Sequence, residues 1–482
     1  MKRTIILSTF LGMFLFGNTM AGNLRAYLSY ATFVSPTEGP YVETYISVVG
    51  NSVVFHRNDD GKFQGAIQVT MIFRQDSLIK DFKKYELLSP ATEDTAMINF
   101  NFIDQQRFLL PDGKYDLEIF IADKFKDRPP FKVNEPIEIN YPSDKLNLSG
   151  IQLIESFRKT DETSILTKSG YDFVPFVDNF YPSSINKLTF YAEIYNAEKV
   201  LGKDEKFVIT NSIESAETGK IVTIFHKLKR ETTHDVNVVF SEFDISQLPS
   251  GNYYLTIEAH DKENNLLAKN QVFFQRSNPS IQFNIVDITA LDVTNSFVNN
   301  FNNIDTLREY IRSLYPISTN LEGTFADNQV KTADLQTLQQ FFLNFWLSRD
   351  NLDPKKAWEL YKIEVLKADA SFHTKVKKGY ETDRGRVFLK YGPPNTIVDR
   401  PYERDVVPYQ IWHYYKCGTL TNRRFVFYEP DFTNDFRMLH SDVPGEISNT
   451  GWQTYLLRNA SIDSSPNSRF GGKSGEDFNN PK

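Results

Sequence analysis

The chain has 482 residues, a formal net charge of −7 at pH 7 and a single cysteine, Cys417. The negative balance argues against general nucleic-acid binding, which needs a basic surface. One cysteine rules out an internal disulfide, so stability must come from apolar burial, and this length can supply several cores. The 40 Phe and 24 Tyr residues favour β-rich domains.

The N-terminus has the pattern of a secretory signal peptide over residues 1–21. Lys2 and Arg3 precede an apolar run at residues 5–16, and we expect cleavage after Ala21. This run is shorter than the roughly 20 apolar residues that span a bilayer, so a retained anchor is kept only as an alternative. No later run reaches that length. We therefore expect secretion across the inner membrane, no transmembrane segment in the mature chain, and a periplasmic or outer-membrane-associated location.

Residues 22–141 are predicted to form a β-rich domain. Strand-like patterns cover residues 41–49 and 65–74, and turn residues lie between them at 58–61. A turn followed by an alternating strand occupies residues 110–119. Short strands separated by turns are typical of a β-sandwich.

Residues 146–276 repeat this plan. The pattern Leu-Pro-x-Gly-x-Tyr-x-Leu-x-Ile at residues 110–119 returns at residues 248–257. Pro presets a turn, Gly takes a positive φ, and Tyr, Leu and Ile then point to one face of a strand. We predict two related, Ig-like β-sandwich domains, at residues 22–141 and 146–276.

Residues 285–459 are predicted to form an α+β domain. Apolar spacing and capping residues predict helices at 304–314, at 333–347 and from Asp353-Pro354 onward. The last two helices should form a hairpin. Alternation then predicts strands of a small antiparallel sheet at 387–391, 409–415 and 424–428. The Ser-, Asn- and Gly-rich residues 460–482 are predicted to be disordered.

Motifs in this α+β segment resemble the GWxTD domain family. Residues 345–350 resemble the family's helix end, residues 379–386 its naming motif and residues 391–394 its turn. The motif residues are Arg349, Asp350, Gly379, Tyr380, Thr382, Asp383, Gly385, Gly392, Pro393, Pro394 and Trp412. Tyr380 stands where the family has Trp. The resemblance implies a cell-envelope protein of the Bacteroidota type, in which longer members carry tandem β domains ahead of this one.

The chemistry of the naming motif favours a structural role. Gly379 and Gly385 are predicted to take backbone angles that are closed to other residues. Thr382 and Asp383 can accept backbone N–H bonds and fix a loop. An arginine of the motif next to Asp383 or Asp350 would form a partly buried, bidentate pair that joins the helix hairpin to the sheet.

The alternative for the same region is an anion- or partner-binding site. Its candidate residues are Arg384, Arg386, Lys390 and Arg404. An excess of arginine in a loop-rich region suits a carboxylate, a phosphate or an acidic partner surface.

Most enzyme templates do not fit the sequence. The seven histidines show no His-Glu-x-x-His or other metal-ligand spacing, and there is no Gly-x-Ser-x-Gly motif. His413 and Cys417 suggest a Cys–His pair, but on one strand they would lie about 13 Å apart. We predict no catalytic residue, no metal and no cofactor.

The sequence therefore predicts a non-enzymatic envelope protein that binds other envelope proteins. By resemblance, it would be an accessory or scaffold subunit of an outer-membrane assembly, secretion or gliding-type machine. Two alternatives stay open: a small-ligand or anion binder, or enzyme, that uses the cationic loop at 379–386, and a glycan- or peptidoglycan-binding module. The glycan alternative predicts exposed aromatic side chains on one sandwich face.

Overall fold

The computed structural model describes residues 24–162, 164–281, 292–403, 406–418, 420–431, 433–449, 451–457 and 478. The predicted signal peptide, Arg404 and the predicted disordered tail, apart from Phe478, lie outside these residues. The chain divides into two units. Of the described residues, one unit contains those up to Ser29 with Tyr45–Gln106 and Tyr115–Ile137, and the other contains Tyr30–Thr44, Arg107–Lys114 and those from Glu138 onward.

The first β-rich segment confirms the strands predicted at 41–49 and 65–74. Its strands are β1 (Ala26–Ser35), β2 (Gly39–Val49), β3 (Phe55–Arg57), β4 (Phe63–Gln75), β5 (Leu78–Leu88), β6 (Asn101–Leu109), β7 (Gly113–Asp123) and β8 (Phe131–Ile139). One sheet has the order β1-β2-β6. The other has the order β3-β4-β7-β8, with β5 paired to β4. The predicted turn contains Gly61 at φ +78°.

The second β-rich segment forms two sheets around one apolar core. Its elements are β9 (Asn147–Leu148), β10 (Gln152–Lys159), β11 (Thr167–Lys168), β12 (Tyr171–Pro175), β13 (Phe180–Tyr181), β14 (Lys187–Tyr195), α1 (Ala197–Leu201), β15 (Lys206–Ser215), β16 (Ile221–Thr232), β17 (Val236–Asp244), β18 (Gly251–His260) and β19 (Leu266–Arg276). The strand orders are β11-β12-β10-β14-β17 and β13-β19-β18-β15-β16. Phe190 from one sheet and Phe207 and Leu255 from the other are buried in the core.

The repeated Leu-Pro-x-Gly motif begins an equivalent strand in each segment. Gly113 opens β7 and Gly251 opens β18. The Tyr, Leu and Ile of both copies alternate along their strands and so share one face, as predicted, and this face is buried, at Tyr115, Leu117, Ile119, Tyr253, Leu255 and Ile257. The strand order β5-β4-β7-β8 matches β16-β15-β18-β19. The prediction of a positive φ for Gly113 and Gly251 is wrong, because each is the first residue of a strand and neither has a positive φ.

The C-terminal part is helical with a small antiparallel sheet, whereas the N-terminal part is mostly β-sheet. Its helices are α2 (Ile304–Ser313), α3 (Asn320–Gln329), α4 (Leu335–Arg349), α5 (Pro354–Phe372), α6 (Asp383–Tyr391) and α7 (Trp452–Tyr455). The sheet order is β20 (Thr396–Arg400), β21 (Tyr409–Cys417), β22 (Leu420–Tyr428) and β23 (Arg437–Ser441). Among the helices described, none is both long and apolar enough to cross a membrane.

The predicted helix hairpin is present as α4 and α5. Asp353 caps α5 by accepting the N–H of Lys356 at 3.0 Å, and Pro354 takes the first helical position. The rings of Trp346 in α4 and Trp358 in α5 lie 5.8 Å apart, so the two helices share an aromatic core.

The prediction of a strand at 387–391 is wrong, because these residues belong to α6. Thr382 provides a helix N-cap, and Gly392 ends the helix with φ +83°. Val387 and Leu389 are both buried although they are only two residues apart, because Val387 packs against the sheet and Leu389 packs against Ala368 and Tyr380. An apolar run of this length does not separate a strand from a buried helix by periodicity alone.

Candidate functional site

The naming motif folds into a 3₁₀ turn, Gly379–Glu381, that leads directly into α6. Thr382 Oγ1 accepts the N–H of Gly385 at 3.1 Å and donates to the Gly379 carbonyl at 2.8 Å. Asp383 Oδ2 accepts the N–H of Met438 in β23 at 2.7 Å. Thr382 and Asp383 therefore fix the loop through backbone hydrogen bonds, as predicted, and Asp383 also ties it to the sheet.

Close packing, and not backbone angle, explains the two glycines of the motif. Neither Gly379 nor Gly385 has a positive φ, so that prediction is wrong. A Cβ on Gly379 would lie 2.2 Å from the Ala368 carbonyl oxygen, and a Cβ on Gly385 would lie 1.8 Å from the Gly379 carbonyl oxygen. The backbones of α5, the turn and α6 thus touch with no space for a side chain.

Tyr380 occupies the family's Trp position and anchors the turn. Its ring is buried with Ala368 and Leu389. Its hydroxyl donates to Glu309 Oε1 in α2 at 3.1 Å. The tyrosine thus keeps both an apolar body and a polar donor, the two properties that an indole would supply.

Arg384 points into the sheet and is only 6% exposed. Its Nη2 donates to the backbone oxygen and to Oδ1 of Asn434, each at 3.1 Å. The guanidinium lies 4.0 Å from the centre of the Phe436 ring and 5.5 Å from that of Phe372. Burial lowers the pKa of Arg384, and more distant carboxylates offset part of this effect. This cation is held by rings and neutral oxygens.

Arg386 forms a bidentate pair with Glu446, downstream of β23. The Nη1–Oε1 and Nη2–Oε2 distances are 3.1 and 2.6 Å. Lys390 Nζ and the Tyr391 hydroxyl also reach Glu446 Oε1, at 3.1 and 2.7 Å. Burial would raise the pKa of Glu446, but the hydrogen bonds and charges of Arg386 and Lys390 outweigh it and lower the pKa to about 2.

The prediction that an arginine of the motif pairs with Asp383 or Asp350 is wrong. Asp383 bonds to β23, and Asp350 accepts the N–H groups of Leu352 and Asp353, both at 3.0 Å, in the loop between α4 and α5. A bidentate arginine–carboxylate pair does link the helices to the sheet region, as predicted, but its carboxylate belongs to Glu446. No local spacing in the sequence connects Glu446 with the motif.

The three described cations of the proposed anion site do not converge on one point. Arg384 and Arg386 are two residues apart on a helix, so their side chains leave it in nearly opposite directions. Arg386 and Lys390 meet on Glu446, whereas Arg384 contacts Asn434. Arg404 lies outside the described residues. The geometry therefore favours the structural interpretation of the motif.

Residues 287–441 match the GWxTD domain family. The chain carries a GWxTD domain. The family match ends at β23, but the packed GWxTD domain continues beyond it. Glu446 completes the pair with Arg386, and Trp452 and Leu456 are buried in the core beneath the sheet. The described residues 442–449 and 451–457 are thus part of this domain's structure.

The solved structures that match the chain include distant likenesses. No curated protein matches the chain. A glycosyl hydrolase family 2 member from Bacteroides cellulosilyticus is 9% identical, with a TM-score of 0.19 over 48% of this chain and 26% of that chain. Fibronectin(III)-like modules of Clostridium thermocellum CbhA are 10% identical, with a TM-score of 0.14 over 50% of this chain and 89% of theirs. This chain thus spans about a quarter of the hydrolase's length, and likenesses at these scores carry no argument about function.

Three further motif positions of the GWxTD domain, Arg349, Gly392 and Trp412, have structural partners. Arg349 forms a bidentate pair with Glu322 in α3, with both N–O distances at 2.9 Å. Trp412 is buried in the sheet core, and its indole N–H donates to Gln410 at 3.2 Å. Pro393 and Pro394 lie in the turn between α6 and β20, where the Tyr414 hydroxyl donates to the Gly392 carbonyl at 2.9 Å. No local spacing in the sequence connects Glu322 with Arg349, just as none connects Glu446 with Arg386.

His413 and Cys417 have separate surroundings in β21. His413 Nε2 lies 2.8 Å from Asn422 Oδ1 in β22. Cys417 is buried in the sheet core, and burial raises the pKa of its thiol to about 12. A thiol with that pKa is not ionised near neutral pH, so this cysteine does not have the properties of a nucleophile.

Acid is expected to destabilise the GWxTD domain through His440. Its Nδ1 accepts the N–H of Asn449 at 3.0 Å, its ring lies against Trp452 and Phe478, and burial lowers its pKa to about 4. The unfolded chain takes up a proton on this histidine near pH 6.5, so the contribution of neutral His440 to the free energy of unfolding is complete above pH 6.5. This contribution falls by about 3 kcal/mol as the pH drops to 4.

Urea unfolding of the wild type and of His440→Gln between pH 4 and pH 7 measures this contribution. His440→Gln keeps a hydrogen-bond acceptor but does not titrate, so its stability should vary less across this range. The exposed His226→Gln is the matched control and should follow the wild type. Equal slopes for all three proteins would contradict the assignment.

Proposed function

We propose that this protein is a non-enzymatic component of the cell envelope that binds other envelope proteins. In this proposal it crosses the inner membrane, lies in the periplasm or at the outer membrane, and serves as an accessory or scaffold subunit. An outer-membrane assembly, secretion or gliding-type machine is the kind of complex that fits. The family resemblance and the predicted signal peptide support this location.

The observation that supports a scaffold is that the polar side chains of the naming motif bond to other parts of the same domain. Thr382 and Asp383 bond to backbone groups, and Arg386 is committed to Glu446. A catalytic motif would instead direct such groups toward a substrate. In the GWxTD domain they join α5, α6 and β23, which gives a rigid body on which binding surfaces can be displayed.

The two β-rich segments offer strand edges for partner binding. We take them to be Ig-like modules that act as spacers. In the second segment, β16 is the last strand of its sheet, and it exposes Ile224 (71%) and Leu228 (60%). An edge strand with exposed apolar side chains can accept a strand from a partner, because its outer backbone groups are unpaired by the sheet.

Affinity purification of the full chain from native membranes in mild detergent, followed by mass spectrometry, tests the proposal. Ile224→Lys with Leu228→Lys should reduce the recovery of a specific partner about tenfold, because charges on an edge strand oppose strand addition. Both positions are exposed, so the thermal stability should stay unchanged. Tyr402→Lys, at an exposed hydrophobic residue outside the β-rich segments, is the control and should recover partners like the wild type.

Two outcomes oppose different parts of the proposal. If the wild type brings down only itself, the assembly role is wrong. If the double variant recovers the same partners at the same level, docking does not use β16, although the assembly role would stand.

Glycan binding is a second candidate, favoured by one surface of the second β-rich segment. Phe157 is 48% exposed and lies beside Tyr171 and Phe240 on the outer face of one sheet. Aromatic faces can bind the apolar faces of sugar rings. However, the Phe157 and Phe240 rings meet at 90° and do not form a flat platform. Pull-down on insoluble peptidoglycan, with Phe157→Ala as the variant, would find no retention if this candidate is wrong.

A further inference from the structure

The outward face of α5 carries an apolar patch bordered by charges. Seven positions of this helix lie within one third of its circumference and are exposed. They are Lys356, Glu359, Leu360, Ile363, Leu366, Lys367 and Ala370. At its centre Leu360, Ile363 and Leu366 are 57%, 49% and 61% exposed.

This patch is not needed by the fold of the GWxTD domain. The opposite face of α5 contributes Trp358, Tyr361 and Ala368 to the cores shared with the other helices. Single exposed apolar residues are common on protein surfaces, but three neighbours on one helix face form a continuous patch of the kind found at interfaces.

The two leucines of this face are placed symmetrically about Ile363, and the charged residues next to them carry opposite signs. Leu360 and Leu366 lie three residues to either side, and Glu359 and Lys367 lie four residues to either side. If two copies of α5 pack antiparallel with Ile363 at the twofold axis, Leu360 of one copy faces Leu366 of the other. Glu359 then faces Lys367 of the second copy, and this ion pair occurs twice.

We propose that α5 docks onto α5 of a second copy of this chain, as an antiparallel helix pair with Ile363 at the centre. Two-fold dimers use the same patch on both subunits, so the patch must be complementary to itself. A parallel pair would set Glu359 against Glu359 and Lys367 against Lys367, which opposes that orientation.

The residues beyond the two ends of α5 fit the same arrangement. Leu352 precedes the helix and Val376 follows it, and they are the most exposed aliphatic side chains at its two ends, at 91% and 89%. They lie almost equally far in sequence from the centre of the helix. An antiparallel pair brings Leu352 of one copy toward the end of α5 that leads to Val376 in the other.

Sedimentation velocity of the full chain, from about 1 to about 100 µM, tests the dimer. The wild type should reach twice the monomer mass in this range. Ile363→Arg should weaken association at least about 100-fold, because it places two like charges at the axis of the pair. Tyr455→Arg, at an exposed aromatic on α7, is the control and should dimerise like the wild type.

Charge reversal tests the orientation. Glu359→Lys and Lys367→Glu should each weaken association by about tenfold, because each turns two attractive pairs into two repulsive ones. The double variant should return to within about threefold of the wild type, because it restores both pairs in the antiparallel arrangement only.

A wild type that stays monomeric at every concentration would overturn the proposal. So would a dimer that tolerates Ile363→Arg, or charge variants that show no rescue. The dimer does not depend on the proposed scaffold role. If Ile363→Arg instead removes a different protein from the native purification while the chain itself is monomeric, that protein covers α5. The dimer would then be wrong and the scaffold role retained.

Discussion

Gly385→Ala is expected to lower the free energy of unfolding of the GWxTD domain by more than about 3 kcal/mol, or to prevent its folding. The added Cβ would lie 1.8 Å from the Gly379 carbonyl oxygen. This neighbour is backbone and belongs to the turn that Thr382 fixes, so it cannot move aside as the end of a flexible side chain can. Gly379→Ala, with its Cβ 2.2 Å from the Ala368 carbonyl oxygen, should behave in the same way.

Urea unfolding followed by tryptophan fluorescence measures this effect in the GWxTD domain alone. All four tryptophans of the chain lie in it, at positions 346, 358, 412 and 452. The control is Gly392→Ala, where φ is +83° and no atom lies within 4 Å of the new Cβ. It should cost about 1–3 kcal/mol, the strain of a side chain at φ +83° and ψ −173°, a backbone region that is almost restricted to glycine. If Gly392→Ala costs as much as Gly385→Ala, close packing is not the reason for the motif glycines.

The sequence could predict those parts of the fold whose signals are local. The caps and apolar stripes of α4 and α5 lie within a few residues of each other, and both helices were found as predicted. The repeated Leu-Pro-x-Gly pattern identified two equivalent strands, β7 and β18. In each case the residues that determine the element are part of the element itself.

The sequence could not predict the elements that depend on distant partners. Residues 387–391 alternate like a strand, and only the layers that cover α6 on two sides explain why both Val387 and Leu389 are buried. Gly385 must be glycine because a carbonyl of the preceding turn leaves no space for a Cβ. That carbonyl is not visible in the sequence, and the composition of the motif suggested an unusual backbone angle instead. The acid that pairs with Arg386 lies sixty residues away, among 61 acidic residues of the chain. No spacing rule selects it.

Glu446→Gln is expected to destabilise the GWxTD domain by about 3–5 kcal/mol. Glu446 is 4% exposed and is the shared acceptor for Arg386, Lys390 and Tyr391. The amide keeps the size of the side chain but removes its charge. Two neighbouring cations, 22% and 24% exposed, then repel each other without compensation. Urea unfolding at pH 7 by tryptophan fluorescence measures the loss.

The double variant Arg386→Met with Glu446→Leu separates two effects on the free energy of unfolding: the cost of an uncompensated charge and the stability that the ion pair itself contributes. It should be more stable than Glu446→Gln, because apolar replacement of both partners leaves no buried unpaired arginine. A double variant that is less stable than Glu446→Gln would contradict this account and show that the pair itself contributes most of the stability.

The pH dependence of the same variants tests the pairing independently. The pKa of Glu446 is lowered to about 2 in the folded protein, against an ordinary value of 4.5. Its contribution is therefore complete above pH 4.5 and is lost as the pH falls toward 2, because the unfolded chain takes up the proton first. Glu446→Gln should remove this loss but keep the one between pH 6.5 and 4 that His440 causes. A variant whose stability still falls like that of the wild type below pH 4.5 would show that Glu446 is not the acid that Arg386 holds ionised.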